Sequence, residues 1–317
     1  MTLTVVKPGL QTTLQGAPFS GHRHLGMPAA GAADCLSLLL ANHLVGNAPD
    51  TIAIEITLDD AKFTFTDAAV IALTGSAKFL RLNGQDRSLH KVLSVQSGDE
   101  IHVGPAKHGC RSYLAIAGEI VAQSLLGGQS TYLSARLGGY HGRALKAGDI
   151  LGWQPSKLLS KNTSCQRTPN NLQLAMTDNY ILRVTIGPEF SMLSPLAQTR
   201  VFEEKFMVGS RANRMGIGLQ GAGLSTQSGS QINSSPVFTG TVQCPPDGQA
   251  FLLGPDAQTT GGYPRIAQVI RADRHLIGQI RPGSQIQFVR TTNERAVEIY
   301  RQKLSVLKPW LGPINLW

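Results

Sequence analysis

The sequence predicts a mainly β protein with a few helices, arranged as two β-barrel-like halves. Three observations carry this. Short segments rich in β-branched and aromatic residues recur along the chain, and Gly, Asp, Asn or Pro lies close to most of their ends. Glycine (34) and proline (17) are frequent while only 15% of residues are charged, a balance that favours turn-rich β structure over long solvated helices. A polar, irregular stretch with no acid before Asp178 divides a chain of 317 residues, 42% of them hydrophobic, into two parts of ordinary domain size.

Taken in order, strands are expected at Ala53 to Thr57, Lys62 to Phe65, Ala69 to Leu73, Tyr113 to Ile116, Ile181 to Ile186 and Gln285 to Val289. Asp34 caps an expected helix that turns Leu36, Leu39, Leu40 and Leu44 inward and ends at Gly46. A second helix is expected near the C-terminus. Thr291 and Glu294 have capping-box spacing, Val297, Tyr300, Leu304 and Leu307 recur at helical spacing as core contacts, and Pro309 stops the run. A weak echo recurs three times, at Ser97-Gly98-Asp99, Ala147-Gly148-Asp149 and Pro282-Gly283-Ser284, each followed by an apolar strand start. The expected domains are 1–155, a linker at 156–178, and 179–317.

The formal net charge of +9 comes from scattered Lys and Arg without a basic run or interleaved aromatics, which argues against a nucleic-acid surface. Cys35, Cys110, Cys165 and Cys244 form no C-x-x-C pair, so buried thiols in a reducing compartment are expected. No basic, apolar leader opens the chain and no apolar run reaches membrane-spanning length, so a cytoplasmic location is expected. His22 and His24 lack a third nominated ligand, and no metal site is expected.

Gln258-Thr259-Thr260-Gly261-Gly262-Tyr263-Pro264, after Asp256, has two readings. Adjacent glycines, hydroxyls and an amide can cradle a carboxylate, a phosphate or an oxyanion, with Asp256 as acid or base. The same residues also make a tight turn beside a solvated Asp. Ser210 to Gly216 places Arg211 and Arg214 beside small residues, where a guanidinium can hold a carboxylate or simply face water. Gly138-Gly139-Tyr140-His141-Gly142-Arg143 is a Gly-rich turn without the closing residues of a P-loop.

These segments carry a resemblance. The chain resembles the 5-oxoprolinase C-subunit family, which is related to the second allophanate-hydrolase-subunit domain and to the carboxyltransferase part of urea carboxylase. The matching runs are Pro8-Gly9 through Gln15, Gly31 to Asp34, Ala41 to Asn47, Ile54 to Thr57, Gly109 to Gly118, Leu137 to Gly139 with Gly142-Arg143, and Gly148-Asp149. In the second half they are Gly187-Pro188, Asn213 to Gly216, Gly240 to Gln243, Gln258 to Pro264 and Arg281 to Gly283.

The resemblance implies two cyclophilin-like β-barrel domains and partners resembling the A- and B-type components of 5-oxoprolinase. It implies ATP-dependent conversion of 5-oxo-L-proline to L-glutamate, with ATP held on this chain or on a partner. A carboxyltransferase role, with biotin on a separate carrier, and a non-catalytic binding or regulatory role are the alternatives. On this reading Asp256 is acid or base. Gln258, Thr259, Thr260, Gly261 and Gly262 form the oxyanion or phosphate cradle. Arg214 and Arg143 clamp a carboxylate, Tyr263 packs over the substrate, and Gln15 joins the site. The chain departs from the family pattern at Gly16-Ala17-Pro18-Phe19, where Asp-x-Gly-Arg is usual. It departs again at Gly127-Gly128-Gln129, which lacks an arginine, and at Glu119, where glycine is usual.

Overall fold

The computed structural model describes residues 1–155, 167–173, 175–221, 223–226 and 232–317. The chain divides into two compact units, one of residues 1–19 and 34–176, the other of residues 20–33 and 177–317. Of the expected linker, 156–166 and 174 lie outside the described residues, as does Cys165. Its next part is tied to the first unit: Arg167 bridges Lys91, and the Thr168 amide donates to the His90 carbonyl.

The first unit holds two sheets. A five-stranded sheet runs in the order Gln11–Gln15, Ala53–Thr57, Arg111–Ile116, Ala69–Gly75, Val92–Val95. A seven-stranded sheet contains Thr2–Lys7, Ala61–Phe65 and Glu100–Val103 at its middle. Side chains alternate across a strand, so register sorts them into rows. Leu14, Ile54, Leu114 and Leu73 lie opposite one another and meet Leu3, Val5, Phe63, Phe65, Ile101 and Val103 of the other sheet in one core. The neighbouring row is Thr13, Glu55, Tyr113 and Thr74, and it faces helix α1 (Cys35–Leu44). Nearly all of α1 is buried, and Asp34 caps it by accepting from the Ser37 amide at 3.0 Å.

The second unit is a closed seven-stranded barrel in the order Asn179–Ile186, Arg265–Val269, Thr241–Gln243, Phe251–Leu253, Gly216–Gln220, Lys205–Ala212, Gln285–Arg290. The last strand returns to pair with the first in parallel, which removes the free sheet edges. Leu182, Val184, Phe206, Val208, Ile217, Leu219, Val242, Leu252, Ile286 and Phe288 fill it.

The threefold echo is a real structural device. Gly98, Gly148 and Gly283 all adopt positive φ, at 86°, 87° and 85°. Each glycine amide donates to a strand residue, Phe65, Val5 and Val208 respectively. That residue's own amide returns a bond to the carbonyl just after the glycine. The same turn therefore launches a strand in both units.

The helices depart from expectation. Helix α3 (Asn293–Leu311) is capped by Thr292, whose hydroxyl accepts from the Arg295 amide, and Pro309 sits inside its last turn. Of Val297, Tyr300, Leu304 and Leu307, only Leu307 is buried. Periodicity identifies a face but not its depth: α3 lies on the surface against the short helix Arg271–Gln279. Helix α2 (Pro195–Glu203) was not expected. Its signal is local, with Ser194 as cap and Pro195 in the first turn.

His90 gives a pH prediction. It lies at φ 56° and is 8% exposed, and burial followed by the nearby Arg167 lowers its pKa to about 4. The unfolded chain binds that proton near pH 6.5, so stability is full above that value and falls as pH drops towards 4. Acidification across this window should remove up to about 3 kcal/mol from the first unit. His90→Asn tolerates the left-handed backbone and should flatten that part of the urea midpoint against pH.

Candidate functional site

A cavity of about 260 Å³ lies in the second unit. Its walls are Arg211, Gly218, Gln243, Pro245, Asp247, Gln249, Ala250, Phe251, Gln258 and Tyr263. Gln258 and Tyr263, expected from the sequence, are therefore both at one opening. The glycines between them act differently from the expected cradle. Thr260–Gly261 is a short strand paired with Ser235–Pro236, and the Thr259 carbonyl accepts from the Val237 amide. A Cβ on Gly261 would stand 2.7 Å from Gln243 Nε2, so glycine there admits a buried glutamine. Gln243 Nε2 donates to the Tyr263 carbonyl at 3.2 Å, and Gln243 Oε1 accepts from Gln258 Nε2 at 3.4 Å. Gly262 returns its carbonyl to the Ile232 amide.

Cys244 lies just behind this wall. Burial, with a contribution from Asp247, pushes its thiol up to about 11, so it stays protonated at neutral pH.

Asp256 and Arg214 are brought together, but with each other. Arg214 Nε donates to Asp256 Oδ2 at 2.9 Å and Nη2 donates to Oδ1 at 2.7 Å, and both side chains are 3% exposed. Nη2 also donates to the Gly31 carbonyl at 2.6 Å, and the Ala30 amide donates to the Pro255 carbonyl at 2.8 Å. Arg23 adds a bond to the Val237 carbonyl and lies over the Phe238 ring. These contacts fasten residues 20–33 to the second unit. The pair has the geometry of a structural clip, since a guanidinium engaged twice by one carboxylate offers a substrate little.

Gln15 and Arg143 belong to the first unit. Gln15 is fully buried, with Nε2 donating to Thr13 Oγ1 and to the Thr131 carbonyl. Arg143 forms a bidentate pair with Asp149, both bonds 2.7 Å, and lies over Tyr140. It thus braces the turn before the strand Ile150–Gln154.

Sequence reasoning missed a buried polar network in the same unit. The Asp34 amide donates to Tyr113 Oη at 2.8 Å, and Tyr113 Oη donates to Glu55 Oε2 at 2.7 Å. Arg111 Nε stands 3.3 Å from Glu55 Oε1. Burial, with Glu55 and Asp34 nearby, raises Tyr113 well above the usual phenol range and keeps it a donor. The sequence signal is slight, an acid flanked by Ile54 and Ile56, and the structure shows every residue of that strand buried.

A carboxyltransferase-domain family, subdomain A and B, matches residues 25–290. The chain belongs to this carboxyltransferase-domain family. Its relatives include the C-subunit of 5-oxoprolinase from Escherichia coli, 36% identical over 93% of each chain. They also include urea amidolyase of Saccharomyces cerevisiae, 34% identical over 90% of this chain but only 16% of that one. The crystal structure of Kluyveromyces lactis urea amidolyase superposes on 98% of this chain with TM-score 0.91 at 30% identity. This chain spans 20% of that enzyme.

Several of the positions read from the sequence as departures share one cavity. Ala17, Glu119, Gly127, Gly128 and Gln129 all line a cavity of about 300 Å³ in the first unit, together with Asp50, Thr51 and Ser124. Among the described residues that line it, Asp50 and Glu119 are the charged ones. Phe19 explains one glycine: a Cβ on Gly128 would stand 2.6 Å from its ring. Among the described residues no group of three or more His, Cys, Asp or Glu is placed to hold a metal ion, and no helix is long and apolar enough to cross a membrane.

Proposed function

We propose that this chain is one component of an ATP-dependent 5-oxoprolinase, which converts 5-oxo-L-proline to L-glutamate together with A-type and B-type partner proteins in the cytoplasm. One observation carries the reading: the 36% identity to a 5-oxoprolinase C-subunit extends over 93% of both chains. The substrate is a resonance-stabilised cyclic amide bearing a carboxylate. Its opening needs charge on the amide oxygen to be held by fixed donors, and ATP, held on this chain or on a partner, supplies the driving force. The cavity beside Gln243 and Gln258 is of a size for a small metabolite and presents amide donors and acceptors.

Reconstitution tests this. Mixed with its A-type and B-type partners, the chain should give 5-oxo-L-proline-dependent release of ADP, and omission of the chain should abolish it. A well-folded complex that releases no ADP on adding substrate counts against the reading.

A second reading, a carboxyltransferase component acting on urea or a related amide, is favoured by the superposition on urea amidolyase. It requires biotin on a separate carrier, so co-purification with a biotinylated protein would support it. The altered cavity of the first unit supports a third, a binding or regulatory protein whose role survives loss of chemistry.

A further inference from the structure

We propose that Arg211 and Gln243 are the specificity-determining residues of the second-unit cavity, Arg211 pairing with the substrate's carboxylate and Gln243 reading its amide N–H. The inference rests on the 5-oxoproline reading and names the groups that recognise that substrate.

The sequence offered two arginines in one run, Arg211 and Arg214. The strand Lys205–Ala212 has a register irregularity between Val208 and Ala212, and the two guanidinium groups have different fates around it. Arg214 is spent on Asp256 and Gly31. Arg211 lines the cavity, is exposed, and makes no hydrogen bond or ion pair among the described residues. A guanidinium with its fork unengaged beside a small cavity is suited to bidentate pairing with a carboxylate. Asp247 is the other charged lining residue among those described, and its carboxylate already accepts from the Gln249 amide at 3.0 Å. It disfavours a second anionic group on the ligand, which suits a substrate with a single carboxylate.

Gln243 completes the match. It is 2% exposed and its amide nitrogen is used on the Tyr263 carbonyl, which fixes the carbonyl end of the side chain. That carbonyl receives only the long 3.4 Å bond from Gln258. A ligand N–H at normal distance is a better donor, so Gln258 can turn aside on binding. Phe251 and Tyr263 supply apolar wall for a ring. Gly218 leaves the space open. A Cβ there would meet nothing closer than 3.4 Å and would stand beside Arg211 and Phe251, both of which line the cavity.

The test uses the full chain, alone and in the reconstituted complex. Calorimetric titration with 5-oxo-L-proline, its carboxamide and its N-methyl derivative reads binding directly. The wild-type chain should bind 5-oxo-L-proline and discriminate against both derivatives. Arg211→Ala should weaken 5-oxo-L-proline about 10- to 100-fold while leaving the carboxamide nearly unchanged, and Arg211→Lys should recover part of the loss. Gly218→Val should weaken all three with an unchanged urea midpoint. In the complex, Arg211→Ala should raise KM far more than it lowers kcat. If the complex turns over 5-oxo-L-proline and Arg211→Ala keeps the wild-type KM and carboxylate preference, the inference is overturned and the functional reading stands. If binding depends on Arg211 but no complex turns over, the functional reading fails and the site stands. A wild-type chain that binds none of the three overturns the site.

Discussion

Asp256→Ala should destabilise the second unit by about 3–5 kcal/mol, among the largest effects expected of any single substitution in the chain. The substitution removes the carboxylate that accepts from Arg214 Nε and Nη2, leaving Nη2 its bond to the Gly31 carbonyl, and it strips the counter-charge from a guanidinium 3% exposed to water. A buried charge stripped of its partner bears its full desolvation cost, whereas replacing both partners by apolar groups of similar volume is nearly neutral. Arg214→Met with Asp256→Leu should therefore recover much of what Asp256→Ala loses. Urea denaturation followed by tryptophan emission reads this, since Trp310 and Trp317 lie in the second unit. The experiment also separates two roles for Asp256. An acid or base would make Asp256→Asn stable and inactive, while a clip makes it unstable in proportion to its loss of activity. A second sign should accompany the clip. Arg214 without Asp256 to orient it should hold the Gly31 carbonyl less firmly, so trypsin should cut after Arg23 faster in Asp256→Ala than in the wild type.

What the sequence revealed depended on how local each cause was. The strand Ala53–Thr57 was legible because β-branched residues and flanking breakers act within a few positions. The turns at Gly98, Gly148 and Gly283 were legible because positive φ selects glycine. Barrel closure was not, since the pairing of Asn179–Ile186 with Gln285–Arg290 is decided by residues far apart in the chain. The attachment of residues 20–33 to the second unit rests on long-range contacts, among them Arg214 to the Gly31 carbonyl and Ala30 to the Pro255 carbonyl, for which no local pattern exists. The candidate site divides the same way. Gln258 and Tyr263 stand in a compositionally odd loop, and both line a cavity. That Arg211 lines this cavity while Arg214 turns to Asp256 depends on side-chain direction near a register irregularity, which residue spacing does not encode.

Glu55→Ala should cost the first unit a comparable amount, about 3–5 kcal/mol, although Glu55 lies in a strand that reads as ordinary core. Its carboxylate serves two groups at once, accepting from Tyr113 Oη at 2.7 Å and standing 3.3 Å from Arg111 Nε. Removing it takes the acceptor from a fully buried phenol and the counter-charge from a guanidinium 6% exposed. Tyr113→Phe should cost less, about 1–3 kcal/mol, because it deletes one donor and leaves the ion pair. The Asp34 amide loses its acceptor in that variant, so the start of α1 should loosen, which amide hydrogen exchange at Asp34 to Leu38 would detect. A surface pair supplies the control: Lys62 and Glu100 are 35% and 41% exposed at 3.3 Å, and Glu100→Ala should cost under about 1 kcal/mol. The Glu55 and Tyr113 losses should also be less than additive in the double variant, since the two side chains share one hydrogen bond. Equal midpoints for Glu55→Ala and Glu100→Ala in urea, followed at Trp153, would show that water reaches Glu55 and that this network does not hold α1 to the sheet.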